Sequence, residues 1–227
     1  MISFYETASK QFLERGYCIL DIKAPFLKHL NEVADDLELA TEADWTYVIR
    51  HNDFEGDLPL STDKKILFSH RQKAYKENSQ GLFSFFFQRM TTAHGLPLLT
   101  VPKALISSRD LMESRGVRNL LESVSGRSVG NIEQLYINKF TIGDFLGVHR
   151  DGGNNLSVAL NLTNNWLTMN GGQTHIVDDT KNIVDSLSPS FGKLLIIDSM
   201  KKNAPHFVST VTSTNDSPRV AIITRYN

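Results

Sequence analysis

TIGDFLGVHRD, residues 141–151, is the stretch from which the fold is best read. One residue separates His149 from Asp151. On an extended chain both side chains therefore leave by the same face. Two such groups can take neighbouring positions around one metal ion. A third donor must then come from elsewhere in the chain, and His206 in KNAPHFVSTV is the leading candidate. His175 in QTHIVDD, beside two aspartates, is its rival.

Outward from this stretch the pattern is β-rich. After Gly130 come IEQLYINKF, NLSVALNLT, GQTHIV, GKLLIID, HFVSTVT and RVAIITRY, separated by Gly, Asn, Asp, Ser or Pro. Evenly spaced short strands of this kind predict a sandwich or jelly roll. The chain before Gly130 is mainly helical. Helical spacing covers Phe4 to Arg15, Gly16 ends it, and YCILDI follows as a strand. Pro25 suits the first turn of a second helix whose apolar face is Phe26, Leu27, Leu30, Val33, Ala34 and Leu37. Residues 44–63 read as irregular, KKILFSHRQKAYKEN as a helix, and LFSFFFQRM (82–90) as a strand. Residues 107–126 read as one helix capped by Ser107 or Ser108. Helices first and strands after predict an α+β fold in one domain, residues 1–227.

Lys and Arg number 24 against 25 Asp and Glu, and His adds 7. That balance gives no bulk attraction for nucleic acid or an anionic membrane. No apolar run approaches the roughly 20 residues of a membrane span. The first residues, MISFYETASKQFLERGY, lack the basic-then-apolar order of a secretory signal. Cys18 is the single cysteine, so an internal disulfide is excluded and a reducing cytoplasm is the simplest setting.

Two histidines and one carboxylate, with open positions left over, form the donor set of non-haem iron(II) oxygenases. Zinc accepts the same three donors. The wider order of motifs is more specific than this set alone. From Ile132 to Tyr226 the sequence resembles the iron(II)- and 2-oxoglutarate-dependent oxygenases of the prolyl-4-hydroxylase-like type. KFTIGDFLGVHRD matches that family's strand leading into HxD, GGQT its GGET segment, and SPSFGKLLIID its turn and apolar strand. HFVSTVTSTNDSPRVAIITRY matches its distal histidine, followed by a basic residue opening the last strand. The turn at Ser213 to Ser217 is long for that pattern.

The resemblance implies a double-stranded β-helix (jelly roll) core at 131–227, with 1–130 as mainly helical support and the substrate side. It implies iron(II) on His149, Asp151 and His206, with 2-oxoglutarate and O2 as co-substrates. Arg219 would take the far carboxylate of 2-oxoglutarate through its planar fork. Alternation puts Arg219, Ala221, Ile223 and Arg225 on one face. Arg225 is thus a candidate for a substrate carboxylate, or for 2-oxoglutarate if the alignment slips. Tyr136 and Asn138 share a face with Phe140 beside the expected co-substrate, where a phenol or amide can hydrogen-bond its carboxylate.

The phenylalanines of 82–90, Phe85 among them, read as core packing or as the wall of a substrate pocket. Arg71, Lys73, Lys76 and Arg89 read as surface, or one of them as a substrate-binding cation. The expected activity is hydroxylation of an unactivated C–H bond in a small molecule, such as a free amino acid or natural-product intermediate. A peptidyl (prolyl-type) hydroxylase is the alternative, and a zinc-binding or non-catalytic jelly roll is the alternative of another class. Asp151 argues against a halogenase, which lacks that carboxylate. Monomer and homodimer are equally compatible with the sequence.

Overall fold

The computed structural model describes residues 2–92, 101–153, 155–202, 204–214 and 217–227. His94, Asn154 of the DGGNN turn, and part of the turn at Ser213 to Ser217 lie outside them. Five helices and twelve strands make up the described chain. Helix α1 (Ile2–Arg15) ends at Gly16, whose backbone lies at φ 80° and whose N–H donates to the Phe12 carbonyl at 2.8 Å. Strand β1 (Tyr17–Asp21) follows directly, then α2 (Lys23–Glu38). Ala8 and Phe12 of α1 and Leu30 and Val33 of α2 are buried, whereas Leu13 and Leu27 face solvent.

Residues 44–63, expected to be irregular, hold a hairpin: β2 (Thr46–His51) and β3 (Phe54–Pro59). Strand β3 is only half-buried, so its apolar signal is weak, and Gly56 and Pro59 read as punctuation although both pair in the ladder. Helix α3 (Lys64–Ser79), capped by the Asp63 carboxylate, and β4 (Phe85–Met90) lie as expected. The single helix expected over 107–126 is two helices, α4 (Lys103–Glu113) and α5 (Arg115–Ser125). Ser114 breaks the run at φ −57°, ψ 145°, and its hydroxyl accepts from the Val117 N–H to start α5.

The remaining strands are β5 (Ile132–Phe140), β6 (Phe145–His149), β7 (Leu156–Asn161), β8 (Thr174–Val177), β9 (Ile183–Leu187), β10 (Lys193–Asp198), β11 (His206–Val208) and β12 (Arg219–Tyr226). All pairings are antiparallel, in the order β1-β10-β7-β12-β5-β4-β6-β11-β8-β9, with the β2–β3 hairpin joined to β4. Side chains from both arms of this order meet in one cavity: Ala159, Leu195 and Ala221 from one, Leu146, Thr174 and Val208 from the other. The sheet therefore curls over on itself, an α+β jelly roll. Helices cover its outer face, where Val33, Leu120, Leu121 and Val124 pack with Leu160, Leu194, Ile196 and Ile222. Among the described residues no helix is long and apolar enough to cross a membrane.

Candidate metal centre and ligand cavity

Strand β6 ends at His149, and Asp151 follows two residues on. Strand β11 runs antiparallel to β6 with His206 directly opposite His149. Two imidazoles and a carboxylate from distant parts of the chain are thereby brought together, each with a donor atom within 4.8 Å of the others. The His149 and His206 Nε2 atoms lie 3.7 and 3.9 Å from the two Asp151 carboxylate oxygens.

The second nitrogen of each ring fixes its state. His149 Nδ1 sits 3.1 Å from the Gly147 carbonyl and His206 Nδ1 3.0 Å from the Ala204 carbonyl. A carbonyl only accepts, so each Nδ1 carries a proton and each Nε2 is the nitrogen turned toward Asp151. Gly147 is needed for this arrangement: a Cβ there would come within 2.7 Å of the Ser84 carbonyl, which accepts from the Gly147 N–H at 2.9 Å. Burial and the neighbouring His206 hold the His149 imidazole well below its usual pKa, and hence neutral. Burial alone would raise the Asp151 carboxyl, but His206, Arg225 and His149 outweigh it and keep the group ionised. A neutral imidazole at His149 and an ionised carboxylate at Asp151 are the states in which these groups bind a divalent metal. The donor set fits iron(II).

A cavity of about 170 Å³ opens in front of the triad. Tyr136, Asn138, Arg219, Arg225, Phe85 and, of the four cations considered for a substrate, Arg89 line it. The cations differ in what they touch. Arg219 is 4% exposed; its Nη2 donates to the Thr174 hydroxyl at 2.9 Å, and its guanidinium lies 4.6 Å from the centre of the Phe140 ring. Its Nε has no hydrogen-bond partner, and burial pushes its pKa down to about 9. Arg225 instead donates to Asp151 Oδ1 at 2.7 Å. Arg89 donates through Nε to Asn138 Oδ1 at 3.1 Å, with its guanidinium 4.0 Å above the Tyr136 ring. Asn138 Oδ1 is thus occupied, which leaves the amide nitrogen as the end that can meet a ligand.

His175 points away from this site. It stacks on Phe207 at 4.7 Å and meets the Ser186 hydroxyl at 2.7 Å, because Thr174 and Ile176 take the inward positions of β8. His51 and His70 hydrogen-bond each other at 2.8 Å elsewhere, and His29 is exposed. Arg71 pairs with Asp144 and Lys73 with Asp53, away from the cavity. Thr174 of GGQT, given no role from sequence, holds Arg219, and Phe83, one of the phenylalanines read as core or pocket wall, stacks on the His149 ring at 5.4 Å. Thr174 carries a signal in its fixed place after the paired glycines. Gly172 gives another reason for that motif: at φ 68° it leaves room for Trp166 and for the Arg219 Cδ, 3.3 Å from where its Cβ would stand.

Residues 135–226 match the family model described as the 2OG-Fe(II) oxygenase superfamily. No curated relative matches the chain in sequence. Solved structures similar in fold include a 2OG-Fe(II) oxygenase family oxidoreductase from Burkholderia pseudomallei (15% identity, TM-score 0.65, 98% of this chain and 90% of that one). A prolyl hydroxylase from Trichoplax adhaerens, solved with a hypoxia-inducible-factor peptide fragment, gives 15% identity and TM-score 0.60 over 99% and 89%. The alpha-ketoglutarate-dependent epimerase SnoN of nogalamycin biosynthesis gives 14% and 0.61 over 100% and 83%. At such identities these likenesses are of fold. The family match spans the very strands that bring His149, Asp151 and His206 together, and over those residues the chain is similar to the 2OG-Fe(II) oxygenases, a superfamily that uses iron(II), 2-oxoglutarate and O2.

Proposed function

We propose that the protein hydroxylates an unactivated C–H bond of a small molecule, with His149, Asp151 and His206 as iron ligands and Arg219 as the seat for the far carboxylate of 2-oxoglutarate. The observation that carries this reading is Arg219: a nearly fully buried cation, with no acidic partner among the described residues, in the same cavity as the triad. A buried charge without a counter-ion is costly unless a ligand supplies one. Bound iron(II) would supply the oxidising chemistry, in which O2 gives one oxygen atom to the substrate and one to the succinate formed as 2-oxoglutarate loses CO2.

The chain's own residues do the rest. The Gly147 and Ala204 carbonyls orient the two rings, Arg225 holds the Asp151 carboxylate, and Asn138 and Tyr136 border the co-substrate. Phe83, Phe85 and Phe87 exclude water from one wall. On this reading residues 1–130 belong to the same domain as the catalytic core at 131–227, with β4 supplying the substrate side. The limited cavity, lined by charge and aromatic rings, favours a compact substrate. The prolyl hydroxylases among the fold neighbours keep a peptidyl substrate as the second reading.

Anaerobic titration with iron(II) and 2-oxoglutarate tests the proposal. The weak visible band of the chelate is expected to appear and then to shift with free carboxylic or amino acids but not with proline-containing peptides. Absence of the band with both components in excess would overturn the cofactor assignment; a shift with peptides alone would install the peptidyl reading. Arg225→Met is expected to weaken iron binding about 10- to 100-fold, as loss of a partner to a metal-ligating carboxylate does. Unchanged iron affinity, read by chelator competition, would remove Arg225 from that role.

A further inference from the structure

The cavity carries more positive charge than iron and 2-oxoglutarate account for. Arg89, Arg219 and Arg225 line it against a single carboxylate, Asp151. A divalent metal would add two positive charges and doubly charged 2-oxoglutarate would remove two, so the loaded cavity keeps a surplus of two. Arg219 is assigned to 2-oxoglutarate in the reading above, and Arg225 is held by Asp151. Arg89 is the cation left over.

Its surroundings fix its orientation without neutralising it. Strand β4 alternates, so Phe85, Phe87 and Arg89 point into the cavity in a row, while Phe86 packs behind with Ile49 and Phe145. The guanidinium lies on the Tyr136 ring at 4.0 Å and beside Phe87 at 5.3 Å. Its Nε is engaged by Asn138, which leaves the pair of Nη nitrogens as the free edge of the fork. Among the described residues no carboxylate lies within ion-pair distance of it; Asp57 acts on it only at longer range, and burial outweighs that attraction.

We propose that Arg89 is the seat for a carboxylate on the primary substrate, whose hydrocarbon or aromatic part lies along Phe83, Phe85 and Phe87. This inference rests on the oxygenase reading of the same cavity. One planar fork, with the neighbouring Arg225 already paired, suits the two coplanar oxygens and single charge of a carboxylate better than a phosphate. Fixing the acid at Arg89 would hold the substrate at one end and lead its apolar part past Phe83, which stacks on His149.

The test uses the protein loaded anaerobically with iron(II) and saturating 2-oxoglutarate, and two probes of the same shape, 3-phenylpropionate and 3-phenylpropanamide. Calorimetry is expected to show the acid binding about ten- to a hundredfold tighter than the amide, the scale of one charge-assisted fork. Arg89→Met removes the fork but keeps an apolar side chain and, at saturating 2-oxoglutarate, should erase that preference. Arg89→Lys, which keeps charge but not the fork, should reduce the preference severalfold and serves if the methionine variant fails to fold. Equal binding of acid and amide to the unaltered protein, or a full preference surviving in either variant, would overturn the assignment. Failure of the underlying reading looks different: iron-loaded protein would not bind 2-oxoglutarate before any probe is added.

Discussion

Asp151→Ala is expected to abolish iron-dependent consumption of 2-oxoglutarate and to weaken iron binding by more than about 100-fold, since even partners that only touch a ligand cost 10- to 100-fold. Two losses combine in it. One of three donor groups disappears, and Arg225 loses the carboxylate that it meets at 2.7 Å. Breaking a buried ion pair from one side costs about 3–5 kcal/mol when the survivor is fully enclosed. Arg225 retains some exposure at 20% of its side chain, so the lower end of that range applies. Adding Arg225→Met to Asp151→Ala should therefore recover thermal stability while iron binding and turnover stay lost. A single Asp151→Ala variant that binds iron like the unaltered protein would remove Asp151 from the metal site.

What the sequence carried, it carried through local periodicity. The two-residue step from His149 to Asp151 and the alternation Arg219, Ala221, Ile223, Arg225 depend only on extended backbone, and the folded chain keeps them. His206 and His175 could not be separated that way, because the choice lies in which face of β8 and β11 looks inward. Register settles it: His206 stands opposite His149, while His175 falls on the outward parity of its strand. The β2–β3 hairpin and strand β9 were illegible for another reason. Their burial is partial, and Ile183 and Val184 are exposed, so hydrophobic alternation carries little information there. The break at Ser114 hid because Leu111, Met112, Val117, Leu120 and Leu121 fit one amphipathic helix as well as two.

Arg89 shows what sequence alone leaves undecided. With Arg71, Lys73 and Lys76 it formed a set of four equivalent cations near the phenylalanine-rich strand. Its parity with Phe85 and Phe87 marked it for their face, but whether that face was core, cavity or surface depended on β5 and β12 closing over it. The ladder pairs Arg89 with Asn138 and Asn138 with Ala221. That row sets Arg89 in the cavity between the levels of Arg219 and Arg225, a placement no local pattern encodes.

Arg219→Met is expected to separate binding from stability. Loss of the guanidinium should weaken 2-oxoglutarate by about a hundredfold or more, the effect of removing one partner of a buried, hydrogen-bonded charge pair. Iron binding should hold, because Arg219 touches neither the triad nor Asp151. Without 2-oxoglutarate the same change should leave the melting temperature unaltered or raise it. The native cation is 4% exposed, meets only the Thr174 hydroxyl and the Phe140 ring, and leaves Nε unpartnered, so its burial destabilises the empty protein. Methionine, shorter but uncharged, removes that cost. If Arg219 were instead a structural cation, the variant would melt lower and bind 2-oxoglutarate normally. The opposite pair of results, weaker binding with undiminished stability, is what a site kept in readiness for an anion requires.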